Sequence, residues 1–145
     1  MDEMGLIFTE LFRAKPHVFL RAKHPLAEKE YVTLEDLRPY PRLNFLQGSY
    51  GSADYSEEPF STESAEKIIR ISDRAAIVNL MIGLDGYTIS SGIFPKYLQG
   101  KTIVSVPLQE KETMRIGYVL CKGQDLSELA SIYIEALQKF DPGIA

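Results

Sequence analysis

Residues 17–27 read His17-Val18-Phe19-Leu20-Arg21-Ala22-Lys23-His24-Pro25-Leu26-Ala27. Pro16 marks a boundary ahead of them. Val18 and Leu20 then fall on one face of an extended segment and Phe19 on the other, the period of two that a strand requires. His24-Pro25 ends the strand, because proline biases its predecessor to extended geometry and cannot continue a ladder. Just beyond, Thr33-Leu34-Glu35-Asp36-Leu37 has the form of a short helical turn with Thr33 as N-cap. On the N-terminal side, Gly5-Leu6-Ile7-Phe8 predicts a short buried strand.

Outward from this core strand, residues 42–47 predict another strand, which stops at Gly48-Ser49. The Ser-, Tyr- and Glu-rich residues 49–64 are expected to hold one short helix and a loop around Pro59. Residues 67–71 are strand-like, and Ser72 or Asp73 can cap a helix whose stripe is Ile77, Leu80, Met81 and Leu84, with Gly83 and Gly86 as stops. Strands follow at residues 87–90, 102–106 and 114–121, with a turn at 94–98 between the first two. A final helix, capped by Asp125 with Glu128 three residues on, carries Leu126, Leu129, Tyr133, Leu137 and Phe140. Strands and helices alternating at short spacing predict an α/β fold with a mostly parallel sheet.

With 145 residues, 45% apolar and 25% charged, the chain has the composition of a globular domain, or of two small lobes, and not of a disordered or collagen-like segment. No apolar run approaches the roughly 20 residues of a membrane span, and the acidic start Met1-Asp2-Glu3-Met4 lacks the pattern of a signal peptide. One cysteine rules out an internal disulfide framework, so a cytoplasmic location is expected. The formal charge of −4 makes the chain a poor sole nucleic-acid binder unless its basic residues gather on one face.

In an open α/β sheet, ligands sit outside the carboxyl ends of the strands. That rule selects the loop Gln47-Gly48-Ser49-Tyr50-Gly51-Ser52, whose glycines admit a ligand to the backbone, and Ser90-Ser91-Gly92 at the end of a later strand. A helix N-terminus beside the first loop would favour an anion such as a carboxylate. The plainer reading is that small polar residues make turns. Neither loop is followed by Gly-Lys-Ser/Thr, so neither is a phosphate-binding loop.

Signals for catalysis are weak. His17 and His24 have no neighbouring Cys or spaced carboxylate with which to build a metal site, and they read as structural. Cys121, followed by Lys122, reads as a buried small hydrophobe rather than an activated thiol. Glu28-Lys29-Glu30 and Glu57-Glu58 read as solvated faces, and no Gly-x-Ser-x-Gly is present. No catalytic residue, metal or cofactor is assigned, and the chain is expected not to be an enzyme.

Three stretches together resemble the effector-binding domain of LysR-type transcriptional regulators. The first runs from His17-Val18-Phe19-Leu20-Arg21 through His24-Pro25-Leu26-Ala27 and Val32-Thr33-Leu34-Glu35-Asp36-Leu37 to Tyr40-Pro41. The second runs from Ile71-Ser72-Asp73-Arg74 through Val78 to Gly83-Leu84-Asp85-Gly86-Tyr87-Thr88-Ile89 and closes at Pro95. The third runs from Ile103-Val104 to Val106-Pro107-Leu108, then through Met114-Arg115-Ile116-Gly117-Tyr118 into the last helix. The resemblance implies an α/β, periplasmic-binding-protein-like (type II) fold with one complete lobe plus a partial second lobe. By the family's order, residues 22–113 form the complete lobe. Residues 17–21 and 114–121 are the crossing strands, and residues 1–16 and 122–145 are the remnant of the other lobe.

The same resemblance implies a small-molecule effector, and the helix N-terminus expected beside the first loop would favour an anionic one. Its contacts map to Gln47, Gly48 and Ser49, and more loosely to Ser90 and Ser91. The first elements of the other lobe and the winged helix-turn-helix are absent from residues 1–145, so no direct DNA binding by this chain is expected. Open sheet edges and an uncovered stripe on the last helix predict a homodimer, with strand exchange between copies as one form. The competing reading is a standalone dimerisation module derived from such a regulator.

Overall fold

The computed structural model describes residues 5–46, 65–93 and 101–139. In chain order its elements are β1 (Leu6–Ala14), β2 (His17–Arg21), α1 (Leu34–Leu37), β3 (Arg42–Phe45), β4 (Ile68–Ile71), α2 (Arg74–Leu84), β5 (Thr88–Ser90), β6 (Ile103–Pro107), β7 (Met114–Cys121) and α3 (Glu128–Gln138). The chain divides into two compact units, residues 15–112 and residues 1–14 with 113–145. By that division, residues 17–21 group with the larger unit and residues 114–121 with the smaller one.

The larger unit is organised on β2, which pairs antiparallel with β5 on one side and β6 on the other. Its alternation sorts the core. Val18 and Leu20 join Leu26, Val32, Leu37, Ile89 and Val106 on one face, while Phe19 joins Leu43, Ile71, Met81 and Ile103 on the other. Val18 and Leu20 are fully buried, as a strand covered on both faces demands. β3 and β4 run parallel. Tyr87, just before β5, links the two sheets through a parallel bridge to Arg42, with the Leu43 amide donating to the Tyr87 carbonyl at 2.8 Å. The expectation of a mostly parallel sheet is therefore corrected. Hydrophobic alternation records which face a residue takes and carries no information about strand direction, and β2 is antiparallel to both its neighbours.

Two caps form as their sequences dictate. Thr33 and Asp36 make a reciprocal capping box around α1, and the Asp73 carboxylate accepts from the Ala75 amide at 3.0 Å to start α2. Met81 is the buried residue of α2; Leu84, expected on the same stripe, is 48% exposed because the helix ends there. The stop is Asp85, with φ 53°, and not one of the flanking glycines. Gly86 serves a different need: a Cβ there would lie 2.9 Å from the Leu43 side chain.

In the smaller unit, β1 and β7 form a two-stranded antiparallel ribbon from Leu6↔Cys121 to Ala14↔Met114. β1 is longer and more exposed than the short buried strand predicted from residues 5–8. The register shifts between Glu10 and Phe12, so that Leu11 is the extra residue of a bulge. The Glu10 carboxylate accepts from Arg13 Nε at 2.8 Å and from Arg115 Nε at 2.5 Å. α3 starts at Glu128 with Ser127 as its N-cap, not Asp125. Serine caps as well as aspartate does, and Ser127 Oγ reaches the Ala130 amide at 3.2 Å. Leu126 thus precedes the helix, and Phe140 lies outside the described residues.

Candidate functional site

In the larger unit, β3, β4 and β5 deliver their carboxyl ends to one side of the sheet, where α2 begins. A cavity of about 200 Å³ opens there, lined by Phe19, Phe45, Arg74, Ile77, Thr88, Ile89 and Ser90. That is below the roughly 300–1,000 Å³ typical of pockets for drug-sized ligands and suits a small metabolite. Each wall follows from an element already placed. Phe45 is the last residue of β3, Thr88 and Ser90 share a face of β5, and Phe19 stands opposite Thr88 in the β2–β5 register. Ile77 projects from the first turns of α2. Ile89, whose side chain packs in the other core, borders the cavity between the two hydroxyl residues.

Arg74 is the one charged residue among these seven. Its guanidinium lies 4.3 Å from the centroid of the Phe45 ring, a cation–π contact that holds a planar cationic group in the lining of the cavity. An arginine in the first turn of a helix faces the positive end of the macrodipole, a cost of about 0.3–1 kcal/mol. The ring contact offsets that cost, and an anion bound at the guanidinium would offset it further. Asp73 already occupies the Ala75 amide, so an anion here is met by Arg74 rather than by the first amides of the helix.

The residues expected from sequence fare differently. Ser90 lines the cavity. Ser91 is buried beside it but is not part of the lining, and its Oγ accepts from the Ile93 amide at 3.3 Å in the turn that Gly92 completes. Gly92 has φ 80°, and a Cβ there would strike the His17 ring at 2.7 Å. Gln47, Gly48 and Ser49 lie outside the described residues. Sequence reasoning passed over Arg74 and Phe45. A basic residue directly after an N-cap aspartate, against the dipole, is the signal that could have found the first, and the strand-end rule taken one residue earlier would have found the second.

The remaining candidates are structural. His17 Nδ1 donates to the Lys15 carbonyl at 3.0 Å. The His24 ring is buried, with hydrogen bonds on both nitrogens and the Tyr40 ring tilted against it, centroids 4.3 Å apart, and burial lowers its pKa. Cys121 is exposed, correcting the expectation of a buried thiol: it ends the ribbon, where the alternation turns it outward. Among the described residues, no group of three His, Cys, Asp or Glu side chains could hold a metal ion. No helix of the described residues is long and apolar enough to cross a membrane.

Comparison with known proteins bears on what such a cavity is for. A family model described as LysR substrate binding domain matches residues 2–141. No curated protein matches the chain. Among solved structures, HinK, a LysR family transcriptional regulator from Pseudomonas aeruginosa, aligns with TM-score 0.68 and 19% identity, over 93% of this chain and 47% of its own. The effector binding domain of QuiR in complex with shikimate aligns with TM-score 0.61 and 17% identity, over 94% of this chain and 65% of its own. The oxidized form of OxyR gives TM-score 0.63 and 20% identity, over 95% and 67%. The chain thus spans about half of HinK and about two thirds of the other two.

Proposed function

The chain belongs to the LysR substrate binding domain family, and from that premise we propose that it is the regulatory, small-molecule-sensing part of a cytoplasmic transcription regulator. We propose that its larger unit binds a small effector carrying a carboxylate on an apolar body. The observation that carries this reading is the pairing of Arg74 with Phe45 in the lining of the 200 Å³ cavity. The guanidinium would take the carboxylate, the Thr88 and Ser90 hydroxyls would meet polar substituents, and Phe19 and Ile77 would enclose the apolar part. Gln47, Gly48 and Ser49, which follow β3 in the sequence and lie outside the described residues, and Ser91 complete the candidate set. Binding would act by favouring one arrangement of the domain over another, and so would be read out elsewhere in a complete regulator. The site has no part in a catalytic cycle in this reading.

The test is thermal unfolding of the chain with benzoate, shikimate and, as the uncharged control, benzyl alcohol. A ligand present at 100 times its Kd stabilises the fold by about 2.7 kcal/mol, a shift of several degrees. Stabilisation by a carboxylate, absent with the alcohol and lost in Arg74→Ala, supports the reading. A full response in Arg74→Ala overturns it.

A second reading is favoured by the exposed apolar residues of α3: a homodimer as the working unit, with exchange of β1 between copies as one form. Under it a second chain, and no metabolite, raises the melting temperature.

A further inference from the structure

His17 uses one ring nitrogen to hold the fold and keeps the other. Nδ1 donates to the Lys15 carbonyl at 3.0 Å, which leaves Nε2 of the neutral ring as a lone-pair acceptor. Among the described residues nothing bonds to Nε2. The turn at Gly92 packs closest to the Cγ end of the ring: a Cβ there would meet Cγ and Nδ1 at 2.7 Å and Cδ2 at 3.1 Å.

Strand register places this histidine beside the cavity. His17 stands opposite Ser90 and Phe19 opposite Thr88, and the alternation of β2 puts His17 on the same face as Phe19. Phe19, Thr88 and Ser90 all line the cavity, so His17 is the fourth corner of that patch, just outside the seven lining residues. Continuing the parallel bridge Arg42↔Tyr87 by three residues brings Phe45 level with Ser90. Phe45, Ser90 and His17 then form one row across three strands, about 10 Å from end to end at roughly 4.8 Å per step. Arg74 stands over the Phe45 end of that row.

We propose that His17 is a further effector-binding residue, whose Nε2 accepts a hydrogen bond from a hydroxyl at the end of the effector remote from its carboxylate. This rests on the carboxylate reading above and narrows it to hydroxylated ring carboxylates. No hydrogen bond joins the Ser90 and His17 side chains. A hydroxyl between them accepts from Ser90 Oγ and donates to Nε2 at once. A second carboxylate can only accept, and its oxygens would meet the Nε2 lone pair.

Isothermal titration of the chain with benzoate, 2-hydroxybenzoate, 4-hydroxybenzoate and 4-methoxybenzoate tests this. 4-Hydroxybenzoate is expected to bind about fivefold more tightly than benzoate, the net gain of one hydrogen bond. 4-Methoxybenzoate has no proton to donate, and the hydroxyl of 2-hydroxybenzoate stays at the Arg74 end, so neither should show that gain. His17→Asn carries an amide nitrogen where Nδ1 stood and nothing at Nε2. It should bind benzoate as the wild type does and lose the preference for the para hydroxyl, whereas loss of a packing role alone would weaken both ligands alike. Binding of none of the carboxylates overturns the carboxylate reading and the role of His17 with it. Benzoate binding without a para-hydroxyl preference, a preference shared by the methoxy probe, or one that survives in His17→Asn overturns the role of His17 and leaves the carboxylate reading standing. The first two of these comparisons use the wild-type chain, so they decide the matter even where the substitution unfolds it.

Discussion

His24 donates from Nε2 to the carbonyl oxygen of Asp85, 3.2 Å away and 61 residues further along the chain. The Leu26 amide donates to the other ring nitrogen, Nδ1, at 3.1 Å, which fixes the tautomer. Asp85 is the left-handed residue that ends α2, and its carboxylate pairs with Arg21 at the end of β2. One imidazole thus ties the central strand, the segment after it and the end of the main helix into a single corner.

That corner sets a pH dependence. Burial lowers the pKa of His24, with the Arg21 charge adding to the effect and the Asp85 carbonyl and carboxylate opposing it. Below about pH 6.5 the unfolded chain takes up a proton that the native ring refuses, since Nδ1 is already an acceptor. Stability therefore rises with pH in this window and falls as pH drops from about 6.5 toward the native pKa. Urea unfolding at pH 7.5 and 5.5 should show the loss. His24→Asn should be about 1–3 kcal/mol less stable at neutral pH, from buried hydrogen bonds left unmade, with a flatter slope across that window.

A second, more acidic step belongs to carboxylates. Hydrogen bonds from Lys29 and Thr33 lower the pKa of Asp36, and Arg21 lowers that of Asp85. Their contribution is complete above about pH 4 and disappears as pH falls through the lowered native values. Asp36→Asn should remove part of this acid limb and leave the histidine limb intact, as followed by circular dichroism between pH 5 and 2.

Core truncations should separate two residues that sequence periodicity treats alike. Met81 is 2% exposed and Leu84 48%. Met81→Ala should cost about 2–5 kcal/mol and Leu84→Ala within about 0.5 kcal/mol. Equal costs would mean that the helix continues beyond Asp85.

Gly117 of β7 stands opposite Glu10 of β1. A Cβ there would sit 2.1 Å from the Thr9 carbonyl oxygen and 2.8 Å from the Phe8 ring. Gly117→Ala should therefore open the ribbon at a cost of about 1–3 kcal/mol or more. Amide hydrogen exchange should speed up in residues 6–14 and 114–121 while β2, β5 and β6 keep their protection.

Much of this was legible in the chain. The faces of β2, the Asp73 cap and the Thr33 turn follow from alternation and capping chemistry, which are local. Local signals failed where the answer lies in distant partners. Strand direction in the β5–β2–β6 sheet, the length of β1 and the exposure of Leu84 and Cys121 depend on what packs alongside. The candidate site divides the same way. Ser90 could be reached from the strand-end rule alone, whereas Arg74 becomes a candidate only because β3 brings Phe45 under its guanidinium.

The Leu11 bulge changes the parity of a strand. In uninterrupted β structure, Glu10 and Arg13 are an odd number of residues apart and would face opposite ways. One surplus residue reverses that, so both acidic and basic groups arrive on the face that carries Arg115 and the Phe8 ring beneath it. The ion cluster is thus written in the bulge of β1 as much as in its letters. A ladder of the same length that paired Leu11 without a bulge would present Arg13 to the far side of the ribbon and leave Glu10 with a single cationic neighbour, whereas loss of Leu11 would leave Glu10 and Arg13 two residues apart and still on one face.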